Sequence, residues 1–346
     1  MRLVKANDLD LTQFQFDYDL TFAVLFMNAD HTIYARYGTR SSIEDAEKHM
    51  STQGLAATMR GVLDIHKNDG NDPPDLSGKQ ALESKFKTPN DFPSLAGQFK
   101  SELDYDGAVT KSCLHCHQIP DAQRKIYRDA GKPIPDRLLF PHPLPRAIGL
   151  VLDPDTKATI SKVVPGSAAA QAGLKPGDSI VTINGQPILS TADIQWVLHN
   201  APGSGSLDVK TLRGGGTFDR SIQLKKNWRF NSDISWRVTS WPLRRMGTGG
   251  IVFKPATHRQ RRANGIPDGR MALRVNSLGK HGPHGAAKRA GVRGGDIMIR
   301  YDGNDEDWTP SQLLGYIGKS TRTGQQIRVA LMRNGQQLNL SLPVQK

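Results

Sequence analysis

Cys113 and Cys116 are the two cysteines of this 346-residue chain, and they stand in the run Cys113-Leu114-His115-Cys116-His117. In a C-x-x-C-H run two thiols can bond the vinyl groups of a porphyrin while the adjoining histidine ligates the iron from one face. Covalent haem c is therefore the first reading, with Cys113 and Cys116 as tethers and His117 as iron ligand. No methionine lies between Cys116 and Met246, so His142 is the candidate for the opposite axial position. The same atoms allow a zinc site built from both cysteines, His115 or His117, and His142. They also allow a redox dithiol with acidified thiols. Residues 106–112 do not form the apolar strand that leads into such a dithiol. A plain disulfide is disfavoured, because C-x-x-C closes too short a loop to staple a fold.

These residues need a scaffold to position them. Asn68 to Leu76 (NDGNDPPDL) reads as a polar, proline-containing linker. Beyond it, one or two helices within Lys79–Tyr105 and another over Asp121–Ala130 predict a small helical module at 77–144 that carries the cysteines. Residues 1–67 alternate differently. Arg2–Lys5 reads as a short strand and Leu9–Phe16 as a loop or short helix. Thr21–Phe26 is an apolar run suited to a buried strand, and Asn28–His31 is a turn. Thr32–Arg36 resumes an extended pattern. Ser42 with Asp45 resembles a capping box, and Leu55, Met59, Val62, Leu63 and His66 follow with helical spacing. Strand, helix, strand, hairpin and helix resemble a thioredoxin domain that lacks its first βα unit. Leu20 stands where thioredoxins place a cis-proline, so the resemblance implies an absent or altered redox apparatus.

Composition bounds the remaining possibilities. The length suits several domains, and 37% hydrophobic with 23% charged residues is ordinary for a globular chain. A net charge of +13 would suit nucleic acid or anionic membrane. The cations are scattered, apart from His258-Arg259-Gln260-Arg261-Arg262, and no recognition motif accompanies them, so nucleic-acid binding is not expected. No apolar run reaches transmembrane length. Haem attachment requires an extracytoplasmic compartment, yet Met1–Asp10 lacks a signal-length apolar run. The reading reconciles the two by placing the true N-terminus upstream and the protein in the periplasm or an equivalent space.

An internal repeat organises the C-terminal half. SAAAQAGLKPGDSIVTINGQ at 167–186 matches GAAKRAGVRGGDIMIRYDGN at 285–304 with a constant offset. Small alanines let a short helix lie close to a sheet. Gly173 and Gly291 suit a left-handed helix terminus, and Asn184-Gly185 and Asp302-Gly303 suit turns with positive φ. Both copies resemble the PDZ domains appended to Deg-type serine proteases, which predicts PDZ-like units at 145–225 and 249–345 joined by 226–248. The whole chain is accordingly α+β and multidomain. Trp228, Trp236 and Trp241 of the joining segment are read as packing residues, not as an aromatic cage.

The PDZ resemblance implies a function. A partner's C-terminus or an extended strand would add beside the longer helix, Thr191–Asn200, with Ile194, Val197 and Leu198 on its apolar face. The carboxylate would meet the loop Ile148-Gly149-Leu150. The second copy matches less regularly: Gly249–Phe253 supplies its loop and first strand, Lys254–Arg270 is a basic insertion, and Asp305-Glu306-Asp307 is acidic. The first 145 residues hold no G-x-S-G-G or G-x-S-x-G, so serine protease activity is not expected. Partial thioredoxin segment, cysteine centre and tandem PDZ units together resemble the bacterial thioredoxin/PDZ (seleno)protein family. That resemblance predicts an extracytoplasmic polypeptide-binding scaffold with a haem or redox centre and a redox partner. A thiol or selenol oxidoreductase whose catalytic half lies outside this chain, or a non-catalytic adaptor with structural zinc, are the other two expectations.

Overall fold

The computed structural model describes residues 6–42, 48–68, 74–99, 106 and 114–346. Arg2–Lys5, Asp45 and Cys113 lie outside that set, as does most of the segment leading into the cysteine run. The chain forms two compact units: Met1–Ala122 with Phe140–Ser232, and Gln123–Leu139 with Asp233–Lys346.

In the first unit, strands β1 (Val24–Met27) and β2 (Ile33–Tyr37) pair antiparallel across the Asn28–His31 turn. Asn28 Oδ1 accepts the Asp30 and Thr32 N–H groups and so closes that turn. Helix α1 (Thr52–Lys67) starts at the Ser51 cap, whose side chain accepts from Gly54 N–H, while the Ser42–Asp45 capping box falls partly outside the described residues. Its helical spacing is as expected, but its buried face is not. Met59 and Leu63 are about half exposed, while Gly54, Thr58 and Gly61 are buried. Spaced at i, i+4 and i+7, these small residues let the helix backbone approach Pro154 and Leu189 closely, and Thr58 Oγ1 donates to Leu189 O at 2.9 Å. Side-chain size, not hydrophobicity, decides which face packs.

The helices expected within 79–105 do not form among the described residues. Residues Ser77–Lys79 and Pro89–Asp91 are single 3₁₀ turns in otherwise irregular chain. Pro89 lacks an N–H and pushes Thr88 to extended geometry, which interrupts any helix there. This stretch contributes core instead: Phe92 and Leu95 bury with Ala6, Leu9, Leu11, Leu114, Ile119 and Ala122. The helix expected at 121–130 is observed as α2 (Gln118–Asp129), and α3 (Asp136–Leu139) follows.

The repeat region matches its sequence pattern closely. The first copy runs β3 (Leu150–Leu152), β4 (Ile160–Val163), α4 (Ala168–Gln171), β5 (Ser179–Ile183), β6 (Gln186–Pro187), α5 (Thr191–Asn200), β7 (Gly205–Arg213) and β8 (Gly216–Leu224). Strands β3 and β4 form a two-stranded sheet, and β6-β5-β7-β8 form a four-stranded one. Between them lies a core that includes Ile148, Leu150, Ile160, Ile183, Ile194, Leu198, Leu207, Ile222 and Trp228.

The second unit adds α6 (Ser240–Thr248), β9 (Ile251–Pro255), α7 (His258–Ala263), β10 (Leu273–Leu278), α8 (Ala286–Arg289), β11 (Ile297–Tyr301), α9 (Pro310–Ser320), β12 (Gln326–Arg333) and β13 (Gln336–Pro343). Here one sheet, β13-β12-β11-β10-β9, takes all five strands. The basic insertion of 254–270 is the short helix α7 and a loop that buries Ile266 with Ala272 and Ile297. Trp241 is nearly half exposed.

Candidate peptide-docking site

Each copy opens with a glycine in left-handed conformation directly before an edge strand. Gly149 has φ +93° and precedes β3; Gly250 has φ +89° and precedes β9. Among the described residues β3 pairs with β4 alone and β9 with β10 alone, so each presents one backbone edge without a strand partner. An extended segment can add to such an edge.

A second repeated device fixes the sheet beneath the loop. Asp178 is fully buried; its Oδ2 accepts the Lys175 N–H at 2.9 Å, and both its oxygens take the Arg213 fork, at 2.5 and 2.8 Å. In the second copy Asp296 does the same with Arg293 N–H at 2.8 Å and Arg333 at 2.7 Å to each oxygen. The bidentate Arg213 bond, helped by the Lys175 N–H, holds the Asp178 carboxyl below the usual carboxylate range. Its stabilisation is therefore present above the ordinary carboxyl pKa of about 3.9 and lost as pH falls through the lowered native value. Asp178→Asn is expected to flatten the acid limb of the stability–pH curve below about pH 4; following acid unfolding by tryptophan fluorescence checks this. An unchanged acid limb would refute it. The motif was visible in sequence as a Gly-Asp turn, but its arginine partner, 35 residues away, was not.

The sequence-derived site residues of the first copy are brought together. Ile148, Gly149 and Leu150 lie at the loop, and Ile194, Val197 and Leu198 on α5; Ile148, Leu150 and the three helix residues share one hydrophobic core and are at most 4% exposed. Helix α5 is buried on its other faces too. Asp193 and Trp196 face β2 and the 77–79 turn: Arg36 N–H donates to Asp193 Oδ1 at 3.0 Å, and Trp196 Nε1 donates to Gly78 O at 2.8 Å. The Arg36 guanidinium stacks 3.8 Å over the Trp196 ring. On the third face, Gln195 Nε2 donates to His142 O at 2.9 Å, and the His142 and His199 rings stack at 4.1 Å. Arg229 closes the helix end by donating to Leu198 O, His199 O and Ala201 O. His142 is thus engaged along α5.

In the second unit, the loop N–H groups have acceptors. Gly249 and Gly250 N–H donate to Arg244 O, and Ile251 N–H to Thr248 Oγ1 at 3.2 Å. Helix α9 lies beside β9 and α6.

Around the cysteine run, Leu114 is buried and Cys116 is partly buried against the Phe92–Ile119 core. The His115 and His117 rings stack at 5.4 Å. Burial first, and His115 second, lower the pKa of His117, which favours the neutral imidazole. Cys113 lies outside the described residues, so the tethering pair and the zinc set cannot be assembled from them; among the described residues no three His, Cys, Asp or Glu side chains converge to hold a metal.

Charge separates between the units in a way the linear sequence hid. Residues 123–139 and 233–346 carry 24 Lys and Arg against 9 Asp and Glu, whereas the other unit carries 22 against 24. The net positive charge of the chain belongs to the second unit.

Residues 159–213 match the PDZ domain family. A probable periplasmic serine endoprotease, DegP-like, of Halomonas elongata is 25% identical over 201 residues, which is 55% of this chain and 38% of that protein. A putative zinc metalloprotease of Vibrio cholerae is 27% identical over 192 residues, covering 55% of this chain and 36% of that protein. The chain thus spans well under half the length of these relatives. Among solved structures, the HtrA3 PDZ domain bound to a phage-derived ligand is 23% identical and covers 22% of this chain and 81% of that one, with a TM-score of 0.20. The matched span lies within the first copy, and the chain is similar in sequence to periplasmic Deg-type proteases. No helix among the described residues is long and apolar enough to cross a membrane.

Proposed function

We propose that this chain is an extracytoplasmic polypeptide-binding scaffold that docks extended segments by strand addition to its PDZ units, without protease chemistry of its own. The observation that carries this reading is the repeated arrangement of a left-handed glycine and an open edge strand at Gly149–β3 and Gly250–β9, with helix α9 beside β9. Relatives with two different catalytic chemistries, serine and zinc, match over similar lengths, which supports a shared non-catalytic part. The periplasmic relatives support the compartment. Fluorescence anisotropy of the full chain with fluorescein-labelled decapeptides tests the reading. Saturable binding that protects β3 or β9 amides from hydrogen exchange is the expected result. Absence of binding across a varied peptide panel would sink it.

Within the same proposal, residues 1–67 are read as a partial thioredoxin domain, a reading supported only by the order of the β1–β2 hairpin and helix α1. Cys113 and Cys116 would tether haem c, with His117 as ligand. A neutral, half-buried His117 fits that role. Bound there, haem would supply one-electron chemistry to a redox partner; the chain's own part is to hold His117 uncharged beside His115.

A further inference from the structure

We propose that the second PDZ unit docks an acidic, extended polypeptide segment along β9, and that it does so without capturing a chain terminus. This rests on the strand-addition reading and deepens it by naming the partner's chemistry.

Three observations converge. First, the unit carries a surplus of 15 cations, while the first unit is close to neutral. Second, the surplus flanks an open edge. Strand β9 carries exposed Lys254 next to its last residue, Pro255, and leads through Ala256 and the Thr257 cap into α7, where Arg259 and Arg262 are exposed. None of these three has a carboxylate partner among the described residues. Third, the neighbouring cations already bind carboxylates of the chain itself. Arg261 meets Asp307 at 2.5 Å, and Arg270 meets Asp305 at 2.6 Å, with Arg300 also on Asp305. The acidic run 305–307 thus satisfies the inner cations and leaves Lys254, Arg259 and Arg262 available. Aspartate and glutamate side chains suit this surface, as the internal pairs demonstrate.

An edge strand selects polypeptide over the other polyanions. Its backbone donors and acceptors, at strand spacing, match another peptide backbone and neither a phosphodiester chain nor a lipid headgroup plane. The loop decides against a terminus. A terminal carboxylate needs vacant N–H groups, yet Gly249, Gly250 and Ile251 already donate to Arg244 O and Thr248 Oγ1. Charge and edge pairing remain as the recognition elements.

The test uses the full chain and three labelled decapeptides of equal length. One has four Asp or Glu and an amidated end, one is the same with a free carboxylate, and one replaces the acids with Asn and Gln. At about 50 mM salt the acidic peptides are expected to bind at least about tenfold more tightly than the neutral one, with the advantage shrinking as salt rises. Amidation is expected to change affinity less than about twofold. The K254E/R259E/R262E variant should lose the acidic preference while still binding the neutral peptide. Equal affinity for acidic and neutral peptides, or a strict need for a free terminus, overturns this inference and leaves strand addition standing. Failure of every peptide to bind overturns strand addition itself. Tighter binding to phosphatidylglycerol vesicles or a 20-base-pair duplex than to the acidic peptides overturns the polypeptide assignment.

Discussion

Replacing Asp193 with alanine is expected to destabilise the first unit by about 3–5 kcal/mol, because it strands a buried cation. Asp193 is 2% exposed and sits where α5 begins. Its Oδ1 accepts Arg36 N–H and its Oδ2 accepts Leu189 N–H, both at 3.0 Å, and Lys79 Nζ lies 2.9 Å from Oδ2. Lys79 is itself 1% exposed, and its ammonium makes the ion pair by distance without a well-aligned hydrogen bond. Burial drives the Lys79 pKa down, and the Asp193 charge only partly opposes that. Without the carboxylate, a desolvated ammonium and two N–H groups lose their partner. At about 2–4 °C per kcal/mol for a unit of this size, the unfolding midpoint should fall by roughly 10 °C.

The pH dependence carries a defined sign. A lysine whose native pKa is lowered binds its proton less tightly in the folded state than in the unfolded one. Stability therefore rises as pH climbs from the native value towards the ordinary value near 10.5. The Asp193→Ala deficit should accordingly be larger at pH 7 than near pH 10. Lys79→Met added to Asp193→Ala should recover a substantial part of the loss, since removing both charges is far less costly than removing one. Urea unfolding of the single and double variants at the two pH values measures both effects. A deficit independent of pH and unrelieved by Lys79→Met would mean that the buried cation is not the cause.

Gly250→Ala is expected to cost about 3 kcal/mol or more and to abolish peptide docking on β9. A side chain at φ +89° is strained, and its Cβ would fall on the backbone carbonyl of His284, which cannot rotate aside. Gly149→Ala meets a different neighbour. Its Cβ would strike the Ser167 side chain, which caps α4 by accepting Ala170 N–H at 3.2 Å, so relief of the clash forfeits the cap. Gly177→Ala is the control: φ is +88°, but open space surrounds the position, and only about 1 kcal/mol of backbone strain is expected. Denaturant midpoints for the three variants separate strain from collision. If Gly250→Ala is no worse than Gly177→Ala, the close approach of the 284 backbone to the loop has no energetic weight.

Much of the C-terminal half could be read directly. The span Thr191–Asn200 for α5 coincides with the observed helix, and a strand follows the matched glycine in each copy, β5 after Gly177 and β11 after Gly295. Such elements are written locally: N-caps, Asn-Gly and Asp-Gly turns, and period-two or period-3.6 spacing each act within a few residues. The N-terminal third was less legible. Leu55, Met59, Val62 and Leu63 predict the helix α1 but not its buried side, since Gly54, Thr58 and Gly61 are chosen by the shape of residues more than 90 positions away. Likewise, among the described residues 79–99, the expected helices yield to proline geometry and to burial of Phe92 and Leu95.

Taken alone, the amino-acid order placed helix α5 and the positive-φ positions at Gly173, Gly185, Gly291 and Gly303. Tertiary structure decided what surrounds them: that α5 is enclosed on every face, that Asp178 and Asp296 anchor distant arginines, and that nearly scattered cations gather in one unit. The reason is that backbone propensity is set by neighbours in sequence, whereas desolvation and charge are set by neighbours in space, and the chain's path brings residues as far apart as 36 and 193 to a single hydrogen bond.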